Sequence, residues 1–239
     1  MKTYRLYLES GPKRKKTMVH VFDLLGCIAN GPTSEAAVAA APEEIRTYLR
    51  FLKRNGDDVD PDEPFDVRVE EHIAETAIFI GQGSSYITFG PDIEPMKPNE
   101  LKTAIARFHA MRETVAKWCA RQSGKDLAAS PRGGGRPGGK VIEHMLNGSA
   151  YLQSILGSFP GLPSIHRKLE RGEVTLPEAL RQVDEAVTER LGGATLEQRR
   201  AVIERPKDVR TLRKGVRRML EHDWEHLREL SRRPGGPTL

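Results

Sequence analysis

Gly90-Pro91-Asp92-Ile93-Glu94-Pro95-Met96-Lys97-Pro98 divides this chain of 239 residues. No helix runs through three prolines and a glycine so closely spaced, and a sheet ladder loses its donors there. The charge changes sign at the same place. Residues 1–95 carry 11 Lys/Arg and 16 Asp/Glu, and residues 96–239 carry 27 and 17. The overall net charge of +5 is the sum of an acidic half and a basic half. The length allows two modest domains, each with a core of its own. The expected division is 1–95 and 96–239.

Composition excludes several classes. Charged residues are 30% and hydrophobic ones 38%, which reads as a water-facing protein. No apolar run approaches the roughly 18 residues that span a bilayer, so no membrane partner is expected. The start, Met1-Lys2-Thr3-Tyr4-Arg5, lacks the apolar stretch of a secretory signal. Cys27 and Cys119 are too few for a disulfide framework and fit a reducing interior. The expected location is cytoplasmic.

Before the divide, strand and helix patterns alternate. Thr3-Tyr4-Arg5-Leu6-Tyr7-Leu8 and Thr17-Met18-Val19-His20-Val21-Phe22 are β-prone runs around a Gly-Pro-Lys-Arg turn. After the Asn30-Gly31-Pro32 turn, Thr33 or Ser34 can cap a helix in which Ile45, Leu49 and Leu52 keep helical spacing until Asn55-Gly56. Phe65-Asp66-Val67-Arg68-Val69, Ala77-Ile78-Phe79-Ile80 and Tyr86-Ile87-Thr88-Phe89 read as further strands, with a hairpin loop at 81–85. The order β-β-α-β(-β) predicts a small α+β domain, one helix lying on one sheet face. His20 points away from Val19 and Val21, and is expected at the surface.

Within this half, Val19-His20-Val21-Phe22-Asp23-Leu24-Leu25-Gly26-Cys27-Ile28-Ala29-Asn30-Gly31, followed by Ser34-Glu35-Ala36, resembles the HicB-like antitoxin domain over about residues 3–70. The resemblance implies a ββαβ fold and a partner RNase. Members usually carry a DNA-binding segment after this module, and a different segment follows it here.

After the divide the patterns are helical. Asn99 is placed to cap a helix over about 100–121, with Leu101, Ala104, Ile105, Phe108, Met111, Val115 and Cys119 on one arc. Further helices are expected over 140–157, 176–191 and 208–231, with short pieces over 164–171 and 195–204. The Gly/Pro/Arg-rich stretch 123–140 reads as a flexible basic loop. Together these predict an all-α four-helix bundle with a long connection.

The histidines stand out on these helices. His222 and His226 are four apart, so both rings share one face of the last helix. His144 lies at the edge of the apolar arc of the second helix, near Tyr151 and Ile155. Three imidazoles from two facing helices can converge on one divalent ion and leave coordination positions open. Imidazole suits zinc, nickel and iron alike, so the metal is not named by its ligands. His222-Asp223-Trp224-Glu225-His226 also approximates a zincin motif. However, Asp223 is shorter than the general-base Glu, and Arg232 stands where a downstream ligand would be needed. Asp223 could orient a ligand histidine or pair with a buried arginine such as Arg112. His109 is a rival ligand.

The lone His in Val141-Ile142-Glu143-His144-Met145-Leu146 and the pair in Leu220-Glu221-His222-Asp223-Trp224-Glu225-His226-Leu227 resemble the DinB-like (YfiT-like) four-helix metalloproteins. Met96-Lys97-Pro98-Asn99-Glu100-Leu101 and Tyr151-Leu152 also fit, so the resemblance spans about residues 96–232. It implies that His144, His222 and His226 bind a divalent metal. It further implies a metal- and thiol-dependent transferase or isomerase, and the excess of ten positive charges in residues 96–239 suits a small anionic thiol or acid substrate. Arg112, Asp223, Tyr151 and the loop residues Arg132 and Arg136 are candidates to support ligands or substrate. A small-molecule thiol and a second copy of the chain are the expected partners. No catalytic residue is assigned.

The competing reading is a toxin-antitoxin-type or nucleic-acid-binding regulator without catalysis. It rests on the HicB-like half and on Arg210, Arg213, Lys214, Arg217 and Arg218 at the start of the last helix. No aromatic residue interleaves with that run, and it is expected to be a solvated face.

Overall fold

The computed structural model describes residues 1–11, 16–74, 83–84, 86–206 and 208–239. The strand expected over 77–80, and parts of the 11–16 turn and the 81–85 loop, lie outside the described residues.

Strands β1 (Lys2–Ser10), β2 (Thr17–Val21), β3 (Ile28–Gly31) and β4 (Phe65–Ala74) form a mixed sheet in the order β3-β2-β1-β4. β1 pairs antiparallel with β2 and parallel with β4. Helix α1 (Ser34–Arg54) supplies the crossover that parallel pairing requires. Thr33 caps it by accepting from Ala36 N–H at 3.1 Å, and Asn55-Gly56 ends it with Gly56 at φ +94°. The β-β-α-β expectation missed β3, a short edge strand hidden between two glycine turns. Tyr86-Ile87-Thr88-Phe89 is not a strand. Its Ile87 and Phe89 are buried as anchors, and the Phe89 ring packs on Tyr7, His20 and Phe22.

The inner strands β1 and β2 are buried on both faces, which corrects the placement of His20, while the edge strand β4 is partly exposed. Leu6, Leu8, Thr17, Val19 and Val21 share one face with α1, and Tyr7, Glu9, Met18 and His20 share the other. His20 does face away from its valine neighbours, yet it is only 1% exposed, because the C-terminal helix covers that side.

The second half follows as α2 (Pro98–Cys119), α3 (Gly124–Ala128), α4 (Gly138–Met145), α5 (Gln153–Leu156), α6 (Leu162–Glu170), α7 (Leu176–Gly192), α8 (Leu196–Arg200), strands β5 (Val202–Arg205) and β6 (Asp208–Thr211), and α9 (Leu212–Ser231). α2 packs on α7 and α9, and α4 packs on α9 and α7. Three expectations need correction. Pro98 rather than Asn99 opens α2, with the Glu100 carboxylate accepting from Lys97 N–H at 2.8 Å. The helix expected over 140–157 breaks into α4, a 3₁₀ turn at Gly148–Leu152, and α5. The half is not all-helical, since the antiparallel pair β5–β6 occupies residues read as helix ends.

α9 is the shared element. Its Trp224 is fully buried against Tyr48 and Phe51 of α1, with ring centroids 4.7 and 5.2 Å away. Arg228 reaches Glu44 of α1 at 2.6 Å, and Arg107 of α2 reaches Asp57 at 3.0 Å. One apolar core runs through the sheet, α1 and the later helices.

Candidate metal centre

α9 carries His222 and His226 one turn apart, and α4 carries His144 in its last turn. The crossing of these helices brings the three rings together, with centroids 4.9 Å (His144–His222), 4.8 Å (His144–His226) and 4.6 Å (His222–His226) apart. One nitrogen from each ring lies within 4.8 Å of the other two. In a tetrahedral site with bonds of about 2.1 Å, ligand nitrogens lie about 3.4 Å apart, so the three rings must close in to hold one ion. His222 and His226 are 9% and 7% exposed, while His144 stands at the solvent rim. Partial burial, and then the neighbouring His222 and His226, push His144 down to about pKa 4, so it is neutral at physiological pH. A metal needs that form of imidazole.

The outer nitrogens of the α9 pair are already engaged. His222 Nδ1 lies 3.2 Å from Asp223 Oδ1, and His226 Nδ1 lies 3.0 Å from Glu229 Oε2. A carboxylate on Nδ1 fixes the tautomer and leaves Nε2 to bind an ion. Asp223 is itself gripped by Arg112, whose Nε and Nη2 both donate to it, the latter at 3.1 Å. Burial alone would raise Asp223, but the Arg112 charge and the bond to His222 outweigh it and hold the carboxyl below its ordinary value. Glu229 is drawn down to about 2 by its bond to His226 and by Arg136, which donates to it at 3.0 Å.

Gly148, at the break after α4, packs closely against the site. A Cβ there would sit 3.0 Å from His222 Nδ1 and 3.1 Å from Asp223 Oδ1. Gly215 plays the same part on α9, where a Cβ would lie 2.9 Å from the Tyr151 carbonyl oxygen. These two glycines let the 3₁₀ turn press against α9 and set Tyr151, whose ring centroid is 6.2 Å from that of His222.

His144, His222 and His226 therefore meet, and Asp223 fills both roles open to it, touching a histidine and pairing with an arginine. Arg112 is not a substrate contact. It is 1% exposed, and its Nε and Nη2 donate to Asp223 and the Met145 carbonyl, because a guanidinium charge in the core needs a carboxylate partner. His109 is elsewhere, on the exposed side of α2, with Nδ1 2.5 Å from Asp184. Arg136 reaches the site edge and Arg132 stays in the exposed loop. Glu229 and Gly148 escaped sequence reading. The first was signalled by its i, i+3 spacing from His226, and the second by the turn-forming run Asn147-Gly148-Ser149.

The basic run at the start of α9 is not a solvated face. Arg213 donates to the Glu94 and Pro95 carbonyls and to Glu100, and Lys214 to Asp208, Thr88 and the Val209 carbonyl. Arg217 spans Asp92 and Glu221, and Arg218 reaches Glu221 and the Gly83 carbonyl. All four are buried. Cations at a helix N-terminus oppose its dipole, and these acidic partners offset that cost. Glu221 also takes His20 Nδ1 at 2.7 Å, so a buried ionic junction joins the sheet to α9.

Comparison with family models, with curated proteins and with solved structures finds no match to this chain. No helix among the described residues is long and apolar enough to cross a membrane.

Proposed function

We propose that this chain is a divalent-metal-binding protein of the DinB-like kind, preceded by a HicB-like module, and that its metal serves thiol-dependent transfer or isomerisation of a small anionic substrate. The observation that carries the reading is the meeting of His144, His222 and His226, with Nδ1 of the α9 pair already held by Asp223 and Glu229. Three imidazoles satisfy part of the coordination of zinc, nickel or iron and leave room for water or substrate. A divalent ion held there lowers the pKa of a thiol or water that it binds, and so supplies a nucleophile near neutral pH.

The chain's own residues define the rest. His144 at the rim leaves the approach on the solvent side, and Arg136 brings positive charge to it. The thiol must come from outside. Both cysteines are buried, and burial pushes Cys119 to about pKa 11 and Cys27 higher still. Asp223 and Glu229 hold the ligand rings in place.

The regulator reading has less support. It needs an exposed run of cations to lie along a nucleic-acid backbone, and Arg213, Lys214, Arg217 and Arg218 are buried and paired within the chain.

Elemental analysis of protein purified without chelator or metal-affinity tag tests the centre. One divalent ion per chain is expected, with loss in His144→Ala and His226→Ala. Absence of metal, or unchanged content in His144→Ala, overturns it. Cobalt-loaded protein tests the thiol, since a low-molecular-weight thiol should raise a new near-ultraviolet band. If no band forms, the thiol dependence is wrong and the metal reading stands.

A further inference from the structure

A cavity lies along the same face of α9 as the histidines, toward its N-terminus. It measures about 200 Å³ and is lined by Tyr151, Ser154, Asp208, Arg210, Lys214 and Arg218, among others. That is smaller than the roughly 300–1,000 Å³ of sites for drug-sized ligands, so its occupant is small. Three cations face one carboxylate, and both oxygens of that carboxylate are taken. Asp208 Oδ2 accepts from Arg210 Nε at 2.7 Å, and Oδ1 accepts from Lys214 Nζ at 2.9 Å. α9 begins here and directs the positive end of its dipole toward the lining residues of its first turn.

A separate observation points to an absent acceptor. Arg218 is 4% exposed, and its two terminal nitrogens donate to Glu221 and to the Gly83 carbonyl, but its Nε has no partner. A buried guanidinium N–H without an acceptor is costly unless a ligand supplies one.

We propose that this cavity binds the phosphate group of a small molecule. Three lining cations against Asp208 and the Glu221 carboxylate paired with Arg218 leave an excess of one positive charge, the sign that suits the charge of about −1.5 to −2 on a phosphate monoester at pH 7. The potential donors also come from separate elements: Arg210 from β6, Arg218 from α9, Ser154 from α5 and Tyr151 from the 3₁₀ turn. Donors spread around a cavity suit a tetrahedral oxyanion, whereas a planar carboxylate is best met by a single guanidinium fork. The anion site stands on this lining alone. Its use as the anchor of the substrate rests on the metal reading above. Four residues of helix separate Arg218 from His222, a rise of about 6 Å, so a short carbon chain would bridge the phosphate and the histidines.

The test uses metal-free full-length protein, so that its outcome does not depend on an ion at the histidines. Inorganic phosphate and glycerol 3-phosphate are titrated by calorimetry, with acetate as the carboxylate arm. Saturable binding of both phosphates is expected, with none of acetate. Arg210→Gln removes a partly exposed guanidinium while Lys214 keeps its bond to Asp208, and should weaken phosphate binding about tenfold or more. Ser154→Ala should weaken it less, while His226→Ala and Arg167→Gln (an exposed residue on α6) bind as the unaltered protein does. The proposal is overturned if phosphate fails to bind saturably, if acetate binds as well, or if Arg210→Gln is indifferent. It is also overturned if His226→Ala alone abolishes binding. Metal content without phosphate binding rejects the cavity only, and phosphate binding without metal rejects the histidine centre only.

Discussion

Asp223→Asn probes the centre at its most buried point. Asparagine keeps the shape of the side chain, and its oxygen can still accept from His222, so only the charge opposite Arg112 is lost. Arg112 and Asp223 are 1% and 0% exposed, and Arg112 Nη1 already has no partner. Removing one member of such a pair leaves an uncompensated buried charge, which costs about 3–5 kcal/mol. That is a large fraction of the ~5–15 kcal/mol that holds a domain folded. Replacing both members, as Arg112→Met with Asp223→Leu, removes the charge and its desolvation penalty together, and should return stability to within about 2 kcal/mol of the unaltered protein. Metal affinity should separate from stability. Both variants lose the anionic acceptor on His222 and should bind zinc about 10–100-fold more weakly. Urea unfolding of metal-free protein reads the first quantity, and competition with a chromophoric chelator reads the second. The pH sign follows from the lowered pKa of Asp223: its contribution is present above the ordinary carboxylate range and is lost as pH falls below about 4. The reasoning is refuted if Asp223→Asn unfolds within about 1 kcal/mol of the unaltered protein, or if the double variant binds zinc as tightly.

Three further outcomes are expected. Burial alone would lower the pKa of His20, but Glu221, with help from Glu9 and against Arg217, raises it above its ordinary value. The stabilisation by His20 is then full below about pH 6.5 and fades as pH rises through the folded pKa. The stability gap between the unaltered protein and His20→Gln should therefore shrink from pH 6 to pH 9, and a gap that widens contradicts this. Gly148→Ala puts a methyl group against His222 and Asp223, and should cost about 1–3 kcal/mol while weakening zinc binding. A fragment of residues 96–239 should unfold without cooperativity by urea and circular dichroism, because it uncovers Trp224, Arg217 and Glu221.

The sequence made the histidines legible because helical spacing is a local property. His222 and His226 share a face by arithmetic, and His144 could be placed near them once four helices were expected. What packing decides was not legible. His20 alternates correctly with Val19 and Val21, but alternation says which side a residue faces and not what covers that side. The basic run of α9 read as solvated because its partners, Asp92, Glu100 and Asp208, are distant in sequence or lie beyond the helix start. Apolar residues resume in helical spacing at 151–156, which hid the break that Asn147-Gly148-Ser149 marks. That break depends on how closely the backbone must approach His222.

These misses share one cause, which is that α9 has no solvated side over most of its length. A 100° step sorts it into three stripes. Arg217, Glu221, Trp224 and Arg228 face the sheet and α1. Val216, Met219, Asp223, Leu227 and Leu230 enter the helical core. Lys214, Arg218, His222 and His226 line up from the phosphate-sized cavity to the histidine trio. A helix rich in charge is usually polar on at least one face. Here the charges are buried in pairs, which adds little net stability but penalises any rotation or slippage that would separate partners. The sheet-facing ion pairs thus fix the angular setting of α9, and that setting aims His222 and His226 at His144. On this argument the acidic N-terminal half acts on the site through the helix that both halves share.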